Sequence, residues 1–297
     1  MRGTHPERAL EQTIERGEAI RRGARVLVAC SGGADSVALA GALCAVAPRM
    51  HLGVELAHVN HGTRESAWQD ECVVLWIGAA LGVPVKVRGV ESAGRDEASL
   101  RDARYDALAG IARETGATTI ATAHHAEDQS ETVLLALFRG AGPEGLAGMP
   151  DRRPLADGLD LARPLLHATS ETLREYCHLR ALPYAVDPTN DDRELRRNAV
   201  REALAALRPL FPGLDEAVAR AALLVGSERE NSERANLRRK VRDALAVQES
   251  LRDVDFEHIE AAVRALQRGG SGRFHMKAGV TLEVESGRLS AVVRDSA

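Results

Sequence analysis

The stretch Val26-Leu27-Val28-Ala29-Cys30-Ser31-Gly32-Gly33-Ala34-Asp35-Ser36 decides how the chain reads. Val26-Leu27-Val28-Ala29 is a short apolar run, the pattern of a strand buried on both faces of a parallel sheet. It breaks at Ser31-Gly32-Gly33. From Val37 to Leu43 the Ala- and Leu-rich composition predicts a helix. A strand, a glycine turn and a helix N-terminus together make an anion site. Glycine lets the backbone approach a ligand, and the free N–H groups and helix dipole favour negative charge. Ser31 and Ser36 add hydroxyl donors. Asp35 is the odd member, since a carboxylate repels phosphate; it is expected either to hold Mg²⁺ or to cap the helix. The plainer alternative is an ordinary capped strand-to-helix turn. Two glycines, two serines and a carboxylate in one short turn favour the anion site. This turn carries neither the Gly-Lys-Ser/Thr of a Walker A loop nor G-x-G-x-x-G.

Outward from this loop, strands and helices alternate. Residues 7–21 predict a polar helix before the first strand. Residues 54–60 predict a second strand and 66–81 a helix, with Ser66 as N-cap, Gln69 completing a capping box and Gly82 as stop. Residues 83–90 predict a third strand, 97–115 a helix closed by Gly116, 118–122 a fourth strand, and 128–138 a helix. Such alternation implies a doubly wound, mostly parallel α/β sheet covered on both faces, with ligands beyond the carboxyl ends of the strands. Residues 140–158 read as loop, 170–180 as a helix capped by Ser170, and 184–186 as a short strand. The texture changes near residue 193. Residues 214–245 predict one long helix and 256–266 another, and residues 274–293 predict a small hairpin. Two domains are expected, 1–207 and a small, mainly helical 208–297.

The totals bound the class. A chain of 297 residues with 44% hydrophobic and 28% charged residues can bury a full core. The net charge of −4 excludes a protein that is basic throughout, though not a local nucleic-acid surface. The four cysteines, Cys30, Cys44, Cys72 and Cys177, form no C-x-x-C pair, so reduced thiols in a cytoplasmic protein are expected. The charged start lacks a signal core, and no run is apolar for long enough to span a membrane.

Further constellations fall at the expected strand ends. His124-His125-Ala126-Glu127-Asp128-Gln129-Ser130-Glu131-Thr132 puts Asp128 and Glu131 three apart, on one helix face near its positive end. They suit Mg²⁺ or an ammonium group, or they are a solvated helix start. In His58-Val59-Asn60-His61-Gly62, His58 and Asn60 share one side of a strand, and an imidazole there can stack on a base or simply end the strand. Arg101 and Arg104 are co-facial and suit phosphate or carboxylate. Arg197 and Arg201 lie on one helix side and suit a nucleic-acid backbone, or form a plain basic face.

Taken together these motifs resemble the tRNA(Ile)-lysidine synthetase family, within the ATP-pyrophosphatase superfamily whose pyrophosphate-binding loop Ser31-Gly32-Gly33-Ala34-Asp35-Ser36 matches. The other matching pieces are His58-Val59-Asn60-His61-Gly62-Thr63-Arg64, the helix from Arg101 to Tyr105, the segment from His124 to Thr132, and Arg139-Gly140-Ala141-Gly142 with Gly145-Leu146-Ala147-Gly148-Met149. Arg163-Pro164-Leu165, Asp187-Pro188-Thr189-Asn190 and the stretch from Arg197-Asn198 to Arg201 complete them. Thr63, Glu127 and Val200 stand where the family usually has Leu, Asp and Ile. The chain resembles the family's short form.

The resemblance implies an adenine nucleotide alpha-hydrolase-like fold and a two-step reaction. ATP adenylates C2–O of the wobble cytidine of tRNA(Ile), which carries a CAU anticodon, and free L-lysine then displaces AMP. It implies that Ser31, Gly32, Gly33, Ala34, Asp35, Ser36 and His58 hold ATP, with Asp35 on Mg²⁺. Asp128 and Glu131 would seat the lysine ammonium or help the metal. Arg101 or Arg104 would meet the lysine carboxylate or the α-phosphate. His61, His125, Asn190, Arg197, Asn198 and Arg201 would contact the cytosine or the tRNA. Rival readings are a tRNA thiolase of the same superfamily, a small-molecule synthetase, and a non-enzymatic nucleotide-binding module.

Overall fold

The computed structural model describes residues 6–60, 67–90, 97–185, 195–230, 233–246, 256–267, 269–276, 280–286 and 288–294. Strands β1 (Arg25–Ala29), β2 (Gly53–Asn60), β3 (Val85–Gly89), β4 (Thr119–Ala121), β5 (Arg152–Ala156) and β6 (Leu159–Ala162) form one sheet, ordered β3-β2-β1-β4-β6-β5. Neighbours are parallel except β5, which returns antiparallel along β6. β1 pairs with β2 on one side and β4 on the other, so the chain reverses its direction of growth between β1 and β4. A crevice opens at such a point beyond the strand ends.

Alternation along the strands builds two cores. Val26, Val28, Leu56, Ala121 and Ala162 face one layer, with Leu10 and Ile14 of α1 (Pro6–Arg16), Val37, Leu39 and Leu43 of α2 (Ala34–Met50), and Leu173 and Tyr176 of α7 (Ser170–Leu179). Leu27, Ala57, Ile120 and Leu161 face the other, packed on Leu108, Ile111 and Ala112 of α4 (Glu97–Thr115). Successive strand residues point to opposite faces, which is why Leu27 and Val28 serve different layers. α3 (Ala67–Leu81) and α4 end at Gly82 and Gly116, both at φ 68°, where a side chain would be strained.

Several expectations are corrected. α1 stops at Arg16 instead of running to residue 21. Thr169, not Ser170, caps α7, its side chain accepting from the Thr172 N–H. The span 140–158 holds the short helix α6 (Pro143–Leu146) and strand β5. Ala185 forms only a bridge to Gly33. The single helix expected over 214–245 is two, α9 (Leu214–Glu230) and α10 (Glu233–Ala246). Ser66, the expected N-cap of α3, lies outside the described residues, as do His61 and Asn190.

The chain divides into two compact units, residues 1–135 with 149–220, and residues 136–148 with 221–297. The first carries the parallel sheet, α5 as far as residue 135 (α5 being Ala126–Phe138) and α8 (Leu195–Leu207). The second has its own core. Val241 of α10 and Ile259, Ala262, Val263 and Leu266 of α11 (Phe256–Gln267) pack on Leu282 and Val284. Instead of a hairpin, β7 (Gly272–Met276), β8 (Val280–Glu285) and β9 (Arg288–Arg294) make a three-stranded antiparallel meander. The meander and α11 follow the alternating and helical periods of their sequences.

Candidate active site

The site grows from the carboxyl ends of β1 and β4. After β1 the backbone turns at Gly32, φ 93°, a value glycine tolerates. A Cβ there would stand 3.2 Å from the Asp70 carbonyl oxygen. Ser36 holds the turn together from inside. Its Oγ donates to the Gly33 carbonyl at 2.9 Å and accepts the Ser31 N–H at 3.1 Å. Its hydroxyl proton is therefore committed within the loop, while Ser31 is exposed at the surface. The Ala185 N–H donates to the Gly32 carbonyl at 2.9 Å, buttressing the loop from the segment after α7. Gly33 is the N-cap of α2 without a side-chain cap, so Asp35 does not cap the helix as one expectation had it. His58 is buried, with Nδ1 3.0 Å from the Cys30 carbonyl, and ties β2 to the residue that opens the turn.

After β4 the two histidines diverge. His125 Nε2 lies 3.6 Å from Asp35 Oδ2 and 3.6 Å from Asp128 Oδ2, so one imidazole joins the loop to α5. Its backbone N–H donates to Asp128 Oδ2 at 3.1 Å, the reach-back half of a capping box. Its Nδ1 stands 2.9 Å from Glu127 Oε2, an ion-pair approach whose angle falls short of a hydrogen bond. Burial opposes the charge on His125, but its contacts with Asp35 and Glu127 and the field of Asp128 outweigh it and push its pKa up to about 10. For Glu127 burial raises the pKa, and His125 and the Ser170 backbone N–H overcome it and bring it down to about 2. His125 and Glu127 are thus a charged pair at neutral pH. Asp35 Oδ1 is buried and accepts no hydrogen bond.

His124 turns the other way. Its Nδ1 meets Thr122 Oγ1 at 2.9 Å, and Thr122 donates onward to the Ala162 carbonyl at 3.4 Å. Burial, reinforced by Arg163 and Arg101 against the opposing charge of Asp128, lowers its pKa to about 4, so it is neutral. Arg163 follows β6 and is 2% exposed. Its Nη1 donates to the Pro150 carbonyl at 3.0 Å, and its Nε has no partner. Arg101 stacks 5.6 Å from the centre of the Tyr105 ring.

Glu131, 4% exposed, faces α8 and receives Arg197 Nε at 3.1 Å and Arg201 Nε at 2.5 Å. Glu131 and the two arginines, assigned separately from the sequence, are therefore one cluster. Arg104 and Asn198 lie on α4 and α8, and each interacts with other groups of the chain. Glu127, Thr122, Ser170, Gln129 and Arg163 were not singled out as site residues. Gln129 exchanges two hydrogen bonds with the Met149 backbone, at 3.0 and 2.8 Å. The signal for Glu127 was its place beside His125 at a helix start; for Arg163 it was an arginine following an apolar strand.

A Mg²⁺ ion uses one or two carboxylates and completes its shell with water and substrate phosphate. The orphaned Asp35 Oδ1 at the mouth of an anion-type loop fits that donor set.

Residues 3–207 match the PP-loop domain family. The tRNA(Ile)-lysidine synthase of Salinispora arenicola is 48% identical over 209 residues, covering 68% of this chain and 62% of that protein. The tRNA(Ile)-lysidine synthase of Streptomyces coelicolor is 42% identical over 221 residues, covering 72% of this chain and 62% of that protein. The chain thus spans less than two thirds of the length of these relatives. Among solved structures, the U34-tRNA thiolase NcsA of Methanococcus maripaludis with its [4Fe-4S] cluster superposes with a TM-score of 0.63 at 16% identity, over 77% of this chain and 80% of that one, a likeness of fold. With more than half of its residues matched, and with the glycine turn at the head of its first strand, the chain belongs to the PP-loop domain family.

Proposed function

We propose that this protein ligates free L-lysine to C2 of the wobble cytidine, C34, of tRNA(Ile) bearing a CAU anticodon, at the expense of ATP. The observation that carries the reading is His125, whose Nε2 sits 3.6 Å from a carboxylate of the phosphate loop and 3.6 Å from a carboxylate of α5. That arrangement brings a nucleotide-binding element and a cation-binding element to one point. The names of the relatives support the substrates.

In the first step the C2 oxygen of the cytidine attacks the α-phosphorus of ATP, and pyrophosphate leaves. The N–H groups of Gly32, Gly33 and Ala34 and the Ser31 hydroxyl hold the departing phosphates as charge builds on them. Ser36 keeps that turn in shape. Asp35 would hold Mg²⁺, which supplies charge neutralisation on phosphate oxygens when bound. In the second step the lysine ε-amine attacks C2, and AMP leaves with the former C2 oxygen. Asp128 and Glu131 seat the ammonium before it loses its proton. Arg101 or Arg104 meets the lysine carboxylate or the α-phosphate. The cytosine leaves its stack to reach the site, where His61 and His125 meet it. Arg197, Asn198, Arg201 and Asn190 hold the tRNA. Residues 1–207 form the catalytic part and 208–297 a part that contacts tRNA. The setting is cytoplasmic; among the described residues no helix is long and apolar enough to cross a membrane. The thiolase reading is disfavoured by the names of the relatives and by three of the four thiols, Cys72 being exposed. Burial raises Cys30 and pushes Cys44 to about 11 and Cys177 to about 12, which makes them inert.

Incubation with ATP, radiolabelled lysine and bulk tRNA tests the reading. Label is expected in one tRNA species, and label in none, or in all, overturns it. Asp35→Ala is expected to keep the fold and to lose at least a hundredfold in tRNA-dependent ATP–pyrophosphate exchange.

A further inference from the structure

Glu127 stands second in α5, next to Asp128, yet its carboxylate turns away from the site. Its Oε1 and Oε2 accept the Ser170 N–H at 3.0 and 3.1 Å, and Oε1 accepts the Ser170 hydroxyl at 3.0 Å. Oε2 also lies 2.9 Å from His125 Nδ1. Both oxygens are engaged, and neither is left for a substrate. The contacts form a closed circuit. Ser170 begins α7, and farther along that helix the Cys177 thiol meets the Ala34 carbonyl at 3.4 Å, at the start of α2. Asp35, the next residue, faces His125, which returns to Glu127. The starts of α2, α5 and α7 are thus joined through one carboxylate and one imidazole.

We propose that Glu127 is a positioning residue: by anchoring His125 Nδ1 to the N-terminus of α7 it aims Nε2 between Asp35 and Asp128 and holds those two carboxylates in register for the reaction. This rests on the lysine-transfer reading for its activity arm. An imidazole has two ring nitrogens and can turn about its bond to Cβ. A fixed anion on one nitrogen removes that freedom, as carboxylates do for histidines in metal sites. With Nδ1 held, Nε2 stays 3.6 Å from each carboxylate, and the two keep their geometry before substrates arrive. Glu127 acts through His125 and touches neither substrate.

The test compares E127Q and E127D in the full chain. E127Q has nearly the same shape and can still accept from Ser170, but it lacks the charge. E127D keeps the charge on a shorter arm. Crystal structures are expected to show the His125 ring with Nε2 between Asp35 and Asp128 in the wild type and in E127D, and turned about its bond to Cβ in E127Q. The kcat/KM for lysine is expected to fall tenfold or more in E127Q and less than threefold in E127D, with Tm of both close to wild type. An unmoved His125 ring in E127Q overturns the assignment. So does a kcat/KM within twofold of wild type, or equal loss in both variants matched by equal loss of Tm. A wild type that transfers no lysine defeats the reaction reading instead, and the orientation of the His125 ring still decides the role of Glu127.

Discussion

His124 and His125 are neighbours with opposite proton affinities, and the difference is measurable as stability against pH. An unfolded imidazole releases its proton near 6.5, whereas folded His125 holds it up to about 10. Between those values the folded chain binds the extra proton, so stability falls as pH rises through the window. Folded His124 takes up a proton only near 4, so between 6.5 and about 4 the unfolded chain binds the extra proton and stability falls as pH drops. Glu127 adds a further loss between 4.5 and about 2, where its unfolded form is protonated first. Together these groups contribute a maximum near pH 6.5. Denaturant unfolding over a pH series is expected to show the alkaline limb flattened in His125→Gln and the acid limb flattened in His124→Gln. Identical curves for both variants and the wild type would refute the assignment of charge. The adjacency of the two histidines was visible in the sequence. Which one would be charged was not, because that depends on Asp35 and Arg163, distant in sequence.

Elements bounded by glycine and by clear periodicity were legible: α4 spans Glu97–Thr115 as expected, and β1 and β2 differ from expectation by one residue at the start. The span 140–158 was not, because a Pro inside β5 (Arg152–Ala156) argues against a strand. It is admitted because β5 is the outer strand of the sheet, where a missing donor is tolerated. α8 shows the same limit for a site. The spacing of its arginines suggests a nucleic-acid face but does not announce that Arg197 and Arg201 both meet Glu131, whose side chain is 6% exposed. Removing a buried carboxylate leaves its cationic partners without compensation. Glu131→Ala is therefore expected to lower stability by about 3 kcal/mol, the low end for a broken buried pair, since both arginines can still reach water. Limited proteolysis within α8 should accelerate in step. Unchanged cleavage and an unchanged denaturation midpoint would show that Glu131 does not hold α8.

At the level of the molecule the division into units follows space more than sequence. Residues 136–148 belong with 221–297, although β5, β6, α7 and α8 lie between them in the chain. A Cβ on Gly226 would stand 3.8 Å from that of Ala147, a contact across many residues that no local pattern announces. The alternation of β8, in contrast, could be read, and it places Leu282 and Val284 inward against α10 and α11. Leu282 is fully buried in the middle strand of the meander. Truncating such a side chain removes its transfer energy and leaves a cavity, so Leu282→Ala is expected to cost about 2–5 kcal/mol. Among its described residues the second unit has few large buried side chains, so a loss of that size is a large part of what holds its sheet and helices together. Hydrogen exchange should therefore speed up throughout β7, β8, β9 and α11. The amides of β1, β2 and β4, whose cores are built from other residues, should keep their protection, and ATP affinity should stay within twofold of wild type. Equal loss of protection in the parallel sheet would mean that the two cores unfold as one cooperative body.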